Sequence, residues 1–177
     1  MTESLKYVVE RSIGDIQIRR YPEFLIATVD GMADEAAFRI LFDYIAGNNR
    51  SKKELPMTVP VISRKEGKEE ISMTTPVISK PGSFSFAMPS KYTLDTIPEP
   101  SDKKVRILKV RSRTVAVLEF GGRTNEGRVK KHEDELVRIL NGKGVKMKGE
   151  SFLMRYNGPF TPGFMRRNEV AIEIETP

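Results

Sequence analysis

A pattern of two strands, a glycine and an amphipathic helix occurs twice in this chain of 177 residues and limits the possible folds more than any other feature. Each copy begins with two short runs rich in β-branched residues, which predict strands, and continues with apolar residues at helical spacing. The glycines between strands and helix, Gly31 and Gly121, are 90 residues apart. We therefore predict a fold built by duplication. The predicted strands are 16–20, 24–29, 105–110 and 114–120, followed after the second helix by 145–147, 152–156 and 170–175.

Each predicted helix carries one apolar stripe, with polar residues on the remaining surface. The first helix begins at Asp34, a favourable N-cap, and ends before Gly47. The second helix is capped by Thr124 and ends at Asn141-Gly142. The stripe residues are Phe38, Leu41, Phe42 and Ile45 in the first helix, and Val129, Leu136, Val137, Ile139 and Leu140 in the second.

Because neither copy can bury its apolar face alone, the helices must pack on a sheet. We predict an α+β fold, a pseudo-twofold duplicated, distorted antiparallel β-barrel with two amphipathic helices. We expect a single domain over residues 1–177, with halves at about 5–90 and 105–175. A segment rich in proline, serine and aspartate, at about 91–104, is the predicted linker between the halves.

Inside the first half a seven-residue motif is nearly repeated, as Met-Thr-Val-Pro-Val-Ile-Ser at 57–63 and Met-Thr-Thr-Pro-Val-Ile-Ser at 73–79. Each copy combines β-branched residues with a proline that cannot donate a ladder hydrogen bond, so each predicts a bulged or edge strand. A polar segment with one glycine separates the copies, which predicts a hairpin with matched arms. The offset is far shorter than 90 residues, so this motif is not the duplication that builds the fold.

The net charge of +6 arises from 30 basic and 24 acidic residues that are interleaved along the chain. No basic arm, zinc-finger spacing or RNA-binding motif accompanies them, so we expect no nucleic-acid partner and a mild preference for small anions. Cysteine is absent, which excludes disulfides and thiolate chemistry. Because the apolar runs are short and the N-terminus lacks the pattern of a signal peptide, we expect a soluble cytoplasmic protein without a membrane partner.

The residues that catalysis usually requires are sparse. His132 is the single histidine, which excludes a site with two histidine ligands and leaves one imidazole for a triad. Counting 100° per residue places it about 40° from Leu136, on the apolar side of the second helix. It is a candidate metal ligand, and the alternative is a boundary histidine that hydrogen-bonds over the core. The charges around it fit pairing on an exposed helix face better than acid–base chemistry, so we predict that the protein is not an enzyme.

The loop from 156 to 170 has the most informative composition. Two prolines and two glycines fix its path, and it places apolar residues, which a loop does not usually expose, next to two arginines. This combination suits a ligand with a hydrophobic body and a carboxylate edge. The alternative is that the aromatic rings pack under the loop and the arginines pair with Glu169 or Glu173. The apolar residues are Phe160, Phe164 and Met165, and the arginines are Arg166 and Arg167.

Within this loop the sequence resembles the SOUL family of haem-binding proteins. The motifs that carry the resemblance are Tyr156-Asn157, Pro159-Phe160-Thr161-Pro162 and Arg166-Arg167-Asn168-Glu169-Val170 in the loop, with Arg19-Arg20-Tyr21, the helix pattern Phe38-x-x-Leu41-x-x-Tyr44-Ile45-x-Gly47-x-Asn49, Met57-Thr58-x-Pro60-Val61 and Phe86-x-Met88-Pro89-x-x-Tyr92 elsewhere. The resemblance as a whole covers the chain from Leu5 to Glu175.

The resemblance implies a duplicated α+β barrel, similar to small-molecule-binding domains of the gyrase-inhibitor type. It also implies a soluble, non-catalytic protein that binds haem or another tetrapyrrole in an apolar cleft between the first helix and the loop before the last strand. His132 becomes a candidate axial ligand outside that cleft. The candidate tetrapyrrole-binding residues are Phe38, Leu41, Phe42 and Ile45 on the helix, and Phe160, Phe164, Met165, Arg166 and Arg167 on the loop.

Two other functions fit the same sequence. A sensor module of the gyrase-inhibitor type would bind another amphiphilic small molecule and would place an acidic residue, for which Asp43 and Glu173 are candidates, at the bottom of its cleft. A protein-interaction scaffold without a ligand would instead expose an apolar patch.

Overall fold

The computed structural model describes residues 3–64, 82–157 and 160–176 of the chain. This part contains ten strands, two α-helices and one short 3-10 helix, which confirms the predicted α+β class. In chain order the elements are β1 (Glu3–Ser4), β2 (Val8–Ile13), β3 (Ile16–Tyr21), β4 (Phe24–Asp30), α1 (Asp34–Ile45), β5 (Thr58–Ser63), β6 (Ser83–Ala87), β7 (Arg106–Val110), β8 (Arg113–Gly121), α2 (Glu126–Gly142), β9 (Met147–Arg155), the 3-10 helix (Gly163–Met165) and β10 (Arg167–Ile174).

The chain forms two compact units, and each has the same topology. The first unit comprises residues 1–5 and 23–111, and its antiparallel strands lie in the order β5-β6-β4-β7, with β1 parallel to β5. The second unit comprises residues 6–22 and 112–177, and its antiparallel strands lie in the order β2-β3-β8-β10-β9. In both units a strand, a helix and two further strands follow one another along the chain, as β4-α1-β5-β6 and β8-α2-β9-β10. The predicted duplication is therefore present, but the strand order of each unit has two ends and is not closed into a barrel.

The consecutive strands predicted at 16–20 and 24–29, and likewise those at 105–110 and 114–120, do not pair with each other as hairpins. β3 pairs with β2 and β8, with Arg19 opposite Val115, whereas β4 pairs with β6 and β7, with Leu25 opposite Lys109. Between β3 and β4 stands Pro22, which lacks a backbone N–H for a hairpin ladder. The two strands belong to different units. The first strand of each sequence repeat thus completes the sheet of the other repeat.

The compact units consequently differ from the predicted halves at 5–90 and 105–175. Residues 6–22 belong to the second unit, and the predicted linker at 91–104 lies in the first. Tyr92 and Ile97 in that segment are both 9% exposed and are part of the hydrophobic core of the first unit. A segment that buries such side chains is a structural part of the unit rather than a linker.

The doubled motif is described in its first copy only. Residues 73–79, which form the second arm of the predicted hairpin, lie outside the described part. The first copy forms β5, which pairs with β6, and the register shifts between Thr58 and Val61. Pro60 stands within that shift, as expected for a residue that cannot donate to the ladder.

α1 begins one residue earlier, and α2 one residue later, than the predicted caps indicate. Ala33 is the N-cap of α1, and Asp34 is its first helical residue. The N-cap of α2 is Asn125 instead of Thr124, and its side-chain Oδ1 accepts a hydrogen bond of 2.9 Å from the backbone N–H of Arg128. This contact satisfies one of the free N–H groups in the first turn.

Each helix buries one face against the sheet of its own unit. In α1 the buried side chains are Ala37, Leu41, Tyr44 and Ile45, and in α2 they are Val129, Leu136 and Leu140. Val137 and Ile139, predicted to face the core, are only half-buried, and of the two Ile139 packs against it. The stripe of α2 is therefore narrower than its sequence suggests.

Candidate functional site

The four candidate binding residues on α1 divide into two that are buried and two that reach the surface. Leu41 and Ile45 are 0% and 4% exposed and form part of the core of the first unit. Phe38 is half-buried and packs edge-on against Phe86, with ring centroids 5.3 Å apart. Phe42, which is 50% exposed, stacks on Phe38 at 6.0 Å. A ligand on this helix could contact Phe42 and part of Phe38, whereas Leu41 and Ile45 hold the helix in place.

The loop residues of the second unit have the opposite character. Phe160 is 98%, Phe164 87% and Met165 62% exposed. The alternative in which the aromatic rings pack under the loop is therefore wrong. The 3-10 helix Gly163–Met165 fixes the backbone, because the N–H of Arg166 donates to the carbonyl of Gly163 at 3.1 Å. We refer to Phe160, Phe164 and Met165 as the loop patch.

The two candidate arginines next to the loop patch have different environments. Arg166 Nε donates a 2.8 Å hydrogen bond to the carbonyl of Thr161, which orients its guanidinium along the loop. Arg167 lies 3.1 Å from a carboxylate oxygen of Glu119 and 3.0 Å from one of Glu169. The pairing alternative therefore applies to Arg167, whose charge is already balanced by two carboxylates.

His132 occupies a boundary position on α2. Its ring stacks on Phe120 with centroids 4.2 Å apart, and its Nδ1 lies 2.7 Å from the carbonyl oxygen of Arg128. A carbonyl only accepts, so Nδ1 carries the proton and Nε2 is the nitrogen with a lone pair in the neutral ring. These contacts match the boundary interpretation. Among the described residues, no group of three or more acidic or histidine side chains could hold a metal ion.

The most elaborate polar site of the second unit was not predicted. Arg19 donates from Nη1 and Nη2 to the two carboxylate oxygens of Glu169, at 2.9 and 2.6 Å. Both side chains are buried, at 2% and 0% exposure. Tyr156 donates its hydroxyl to Glu169, and Arg19 also donates to the hydroxyl of Tyr21 at 2.9 Å. We call these four residues, together with Arg167, the ionic cluster.

Aromatic rings cover the guanidiniums of the ionic cluster. The ring of Tyr7 lies 4.0 Å from the Cζ of Arg19, and the ring of Tyr156 lies 4.3 Å from the Cζ of Arg167. Such contacts favour the charged form of arginine where water is excluded. The cluster thus combines a bidentate ion pair with two cation–π contacts.

The tyrosines and arginines of the cluster keep their protons. Burial and then the charge of Glu169 raise the pKa of Tyr156, so its hydroxyl retains the proton that it donates. Burial also raises the pKa of Tyr21. For Arg19, burial acts to lower the pKa, but the hydrogen bonds and charge of Glu169 outweigh it and raise the pKa. The arrangement is suited to hold β3 and β10 on either side of β8 rather than to transfer protons.

The sequence contained one signal for this cluster. Glu169 directly precedes the predicted strand 170–175 and lies within β10, whose side chains are mostly buried, and a carboxylate in such a strand requires a partner. The acidic residues named for a sensor cleft lie elsewhere. Asp43 is exposed on α1, and Glu173 lies 3.9 Å from Arg113.

None of the helices in the described ranges is long and apolar enough to cross a membrane.

Solved structures show that the fold is shared at low sequence identity. The C-terminal domain of EcmrR is 11% identical with a TM-score of 0.63, and the match covers 92% of this chain and 98% of that one. EcmrR in a complex with DNA is 11% identical with a TM-score of 0.64, covering 93% of this chain and 59% of that one. A protein from Listeria innocua described as a hydrolase is 12% identical with a TM-score of 0.62, covering 99% and 100%. These likenesses establish the fold alone.

Sequence comparison identifies the family. A search of curated proteins finds no match to this chain. The family model described as SOUL heme-binding protein matches residues 2–173, nearly the whole chain, and includes the motifs in the loop before β10. The chain therefore belongs to the SOUL haem-binding protein family.

Proposed function

We propose that this chain is a non-catalytic protein that binds haem or a related tetrapyrrole through apolar contacts at the loop patch. The observation that carries the proposal is the exposure of Phe160, Phe164 and Met165 in a member of a haem-binding family. A porphyrin ring offers a flat apolar face, and covering three such side chains stabilises a complex by removing their surface from water. Bound haem would supply a redox-active iron, on which the present proposal does not depend.

The side chains around the loop patch fit the acidic edge of a tetrapyrrole. Arg166 is oriented by its bond to Thr161, and its guanidinium suits a propionate. Arg167 is a weaker candidate, since a propionate would have to compete with Glu119 and Glu169 for it. We assign Arg166 the propionate contact.

On the first unit, Phe42 with part of Phe38 forms a second apolar surface that the family resemblance assigns to the ligand. Leu41 and Ile45 support this surface from the core and would not touch the ligand themselves. Variants of Phe42 test this contribution separately from the loop patch.

Axial ligation of iron by His132 is a separate question within the proposal. Its Nδ1 is held by the carbonyl of Arg128, so only Nε2 could coordinate iron. Replacement of His132 by alanine changes the visible spectrum if it is an axial ligand and leaves the spectrum unchanged if apolar contact alone holds the ring.

The test is a titration of hemin into the purified protein, followed by the Soret absorption. We expect saturable binding that is weakened by Phe160→Asp, Phe164→Ser and Arg166→Glu. Leu94→Ser is the matched control, because Leu94 is a 53% exposed apolar residue of the first unit, away from both candidate surfaces in the sequence. Affinity that is the same for all variants and no higher than that of hemin for unrelated apolar surfaces would contradict the proposal.

The second candidate, a sensor of the gyrase-inhibitor type that binds a different amphiphile, rests on the duplicated α+β fold, which is similar to domains of that type. A preference for cations would need an acidic residue with an unsatisfied charge. The buried acid of the second unit, Glu169, is instead paired with Arg19 and Arg167 and accepts the hydroxyl of Tyr156. This pairing favours an anionic ligand over a cationic one, and a lipophilic cation that displaces hemin stoichiometrically would reverse the preference.

A further inference from the structure

The loop patch is the most exposed apolar surface in the described part of the chain. Its three side chains have larger exposed fractions than every other large apolar side chain there. The next most exposed are Val8 at 60% and Leu94 at 53%. A phenylalanine that is 98% exposed stands clear of the neighbouring surface and cannot form the wall of a preformed groove. Three such side chains within six residues mark an interaction surface.

Arginines flank this protruding surface. Arg123 packs along the 3-10 helix so closely that a methyl group on Gly163 would lie 3.2 Å from its Cγ. Arg166 follows the helix directly, with its Nε bound to Thr161. The nearby carboxylates of Glu119 and Glu169 are both engaged by Arg167. The surface next to the loop patch therefore favours anions.

We propose that the loop patch docks this protein on an anionic lipid bilayer, with Phe160 and Phe164 inserted at the level of the acyl-chain boundary and Arg123 and Arg166 at the lipid phosphates. Stable attachment of a peripheral protein requires two signals, and the loop supplies both an apolar and a basic one. A bilayer needs no matching shape, whereas a stable protein partner covers about 800 Å² on each side, far more than three side chains provide.

This interaction goes beyond the proposed tetrapyrrole binding and does not depend on it. It also departs from the expectation of no membrane partner, which rested on the absence of a spanning segment. Apolar side chains in a loop can enter the interface of a bilayer without any spanning helix.

The experiment is vesicle flotation with haem-free protein, using vesicles of phosphatidylcholine alone and vesicles that also contain phosphatidylglycerol. We expect binding to the anionic vesicles and little binding to the neutral ones. Replacing each phenylalanine by serine, in Phe160→Ser and Phe164→Ser, lowers the partition coefficient about tenfold or more, since burial of one such side chain is worth that factor. Arg123→Gln lowers it about fivefold.

Two matched variants control for general effects of charge and exposed apolar surface. Arg138→Gln removes an exposed arginine of α2, and Leu94→Ser removes an exposed leucine of the first unit. Neither is expected to change vesicle binding. If Arg138→Gln and Arg123→Gln lowered the partition coefficient equally, the net charge of the protein would explain vesicle binding, and the proposal would be overturned.

Absence of binding to anionic vesicles, or binding that survives the double serine variant, also overturns the proposal. Self-association without lipid that the double variant abolishes would assign the loop patch to a second copy of the chain instead. Hemin titrations of the same variants in the absence of lipid keep a failure of docking separate from a failure of tetrapyrrole binding.

Discussion

Replacing the buried Glu169 with glutamine is expected to destabilise the second unit strongly. The carboxylate accepts two hydrogen bonds from Arg19 and one each from Tyr156 and Arg167. Glutamine keeps the size of the side chain but removes the charge, so the guanidinium of Arg19, which is only 2% exposed, loses its buried counter-charge.

The magnitude follows from the burial of both partners. Breaking a buried ion pair by removing one charge costs about 3–5 kcal/mol, because the other charge stays in the interior uncompensated. For a chain of this size each kcal/mol lowers the melting temperature by about 2–4 °C, so the expected decrease is roughly 6–20 °C. Arg167 adds little to this loss, since it is 41% exposed and can be solvated.

Urea denaturation of the wild type, Glu169→Gln and a control variant, Glu10→Gln, measures the effect. Glu10 also lies in the second unit, on β2, and its carboxylate is 3.0 Å from Arg20, but the two side chains are 30% and 60% exposed, so the loss of its charge should cost about 1 kcal/mol or less. The double variant Arg19→Met with Glu169→Gln should be more stable than Glu169→Gln alone, because no uncompensated charge remains buried. Equal losses for the two glutamine variants would refute this account of the ionic cluster.

Three further predictions concern the helices and the first unit. Asn125→Ala should cost about 1 kcal/mol in urea denaturation and Thr124→Ala almost nothing, since only Asn125 caps α2; the reverse order would contradict the observed cap. Leu136→Ala should cost about 2–5 kcal/mol of the free energy of unfolding, because the side chain is fully buried. Val137→Ala should cost clearly less, because Val137 is only half-buried. Burial, assisted by a neighbouring tyrosine, raises the pKa of Tyr44 from 10.0 to about 12. The folded state thus retains a proton that the unfolded state releases, so this contribution to stability is complete below a pH of about 10 and is lost as the pH rises to about 12. The stability difference between wild type and Tyr44→Phe should therefore shrink over that window, and a constant or growing difference would count against it.

The repeated order of strands and helices could be predicted because it depends on local periodicity. Apolar residues at helical spacing locate α1 and α2, and the β-branched runs locate most strands. The pairing of those strands could not be predicted in the same way. Short connections favour hairpins, yet β3 and β4 pair with strands distant in the chain, and only the complete sheet decides that choice.

The composition of the candidate site was predicted better than the exposure and the contacts of its side chains. The apolar and basic character of the loop from 156 to 170 is visible in the sequence, but the exposure of Phe160 and Phe164 is a property of the folded chain. Helical spacing places Leu41 and Phe42 on one stripe, although only one of them is buried. The ionic cluster joins Arg19 to Glu169 across 150 residues, a contact that no local pattern specifies.

Amide chemical shifts recorded while a diamagnetic porphyrin is added test the central claim, tetrapyrrole binding at the loop patch, most directly. The ring current of a porphyrin displaces signals only within a few ångströms of its face, so the shifts locate the ligand without a change of sequence. We predict that the amides of Phe160, Phe164 and Met165 shift most, and in proportion to the porphyrin bound. Shifts that are largest around His132, or that are small and spread evenly over both units, would contradict the account.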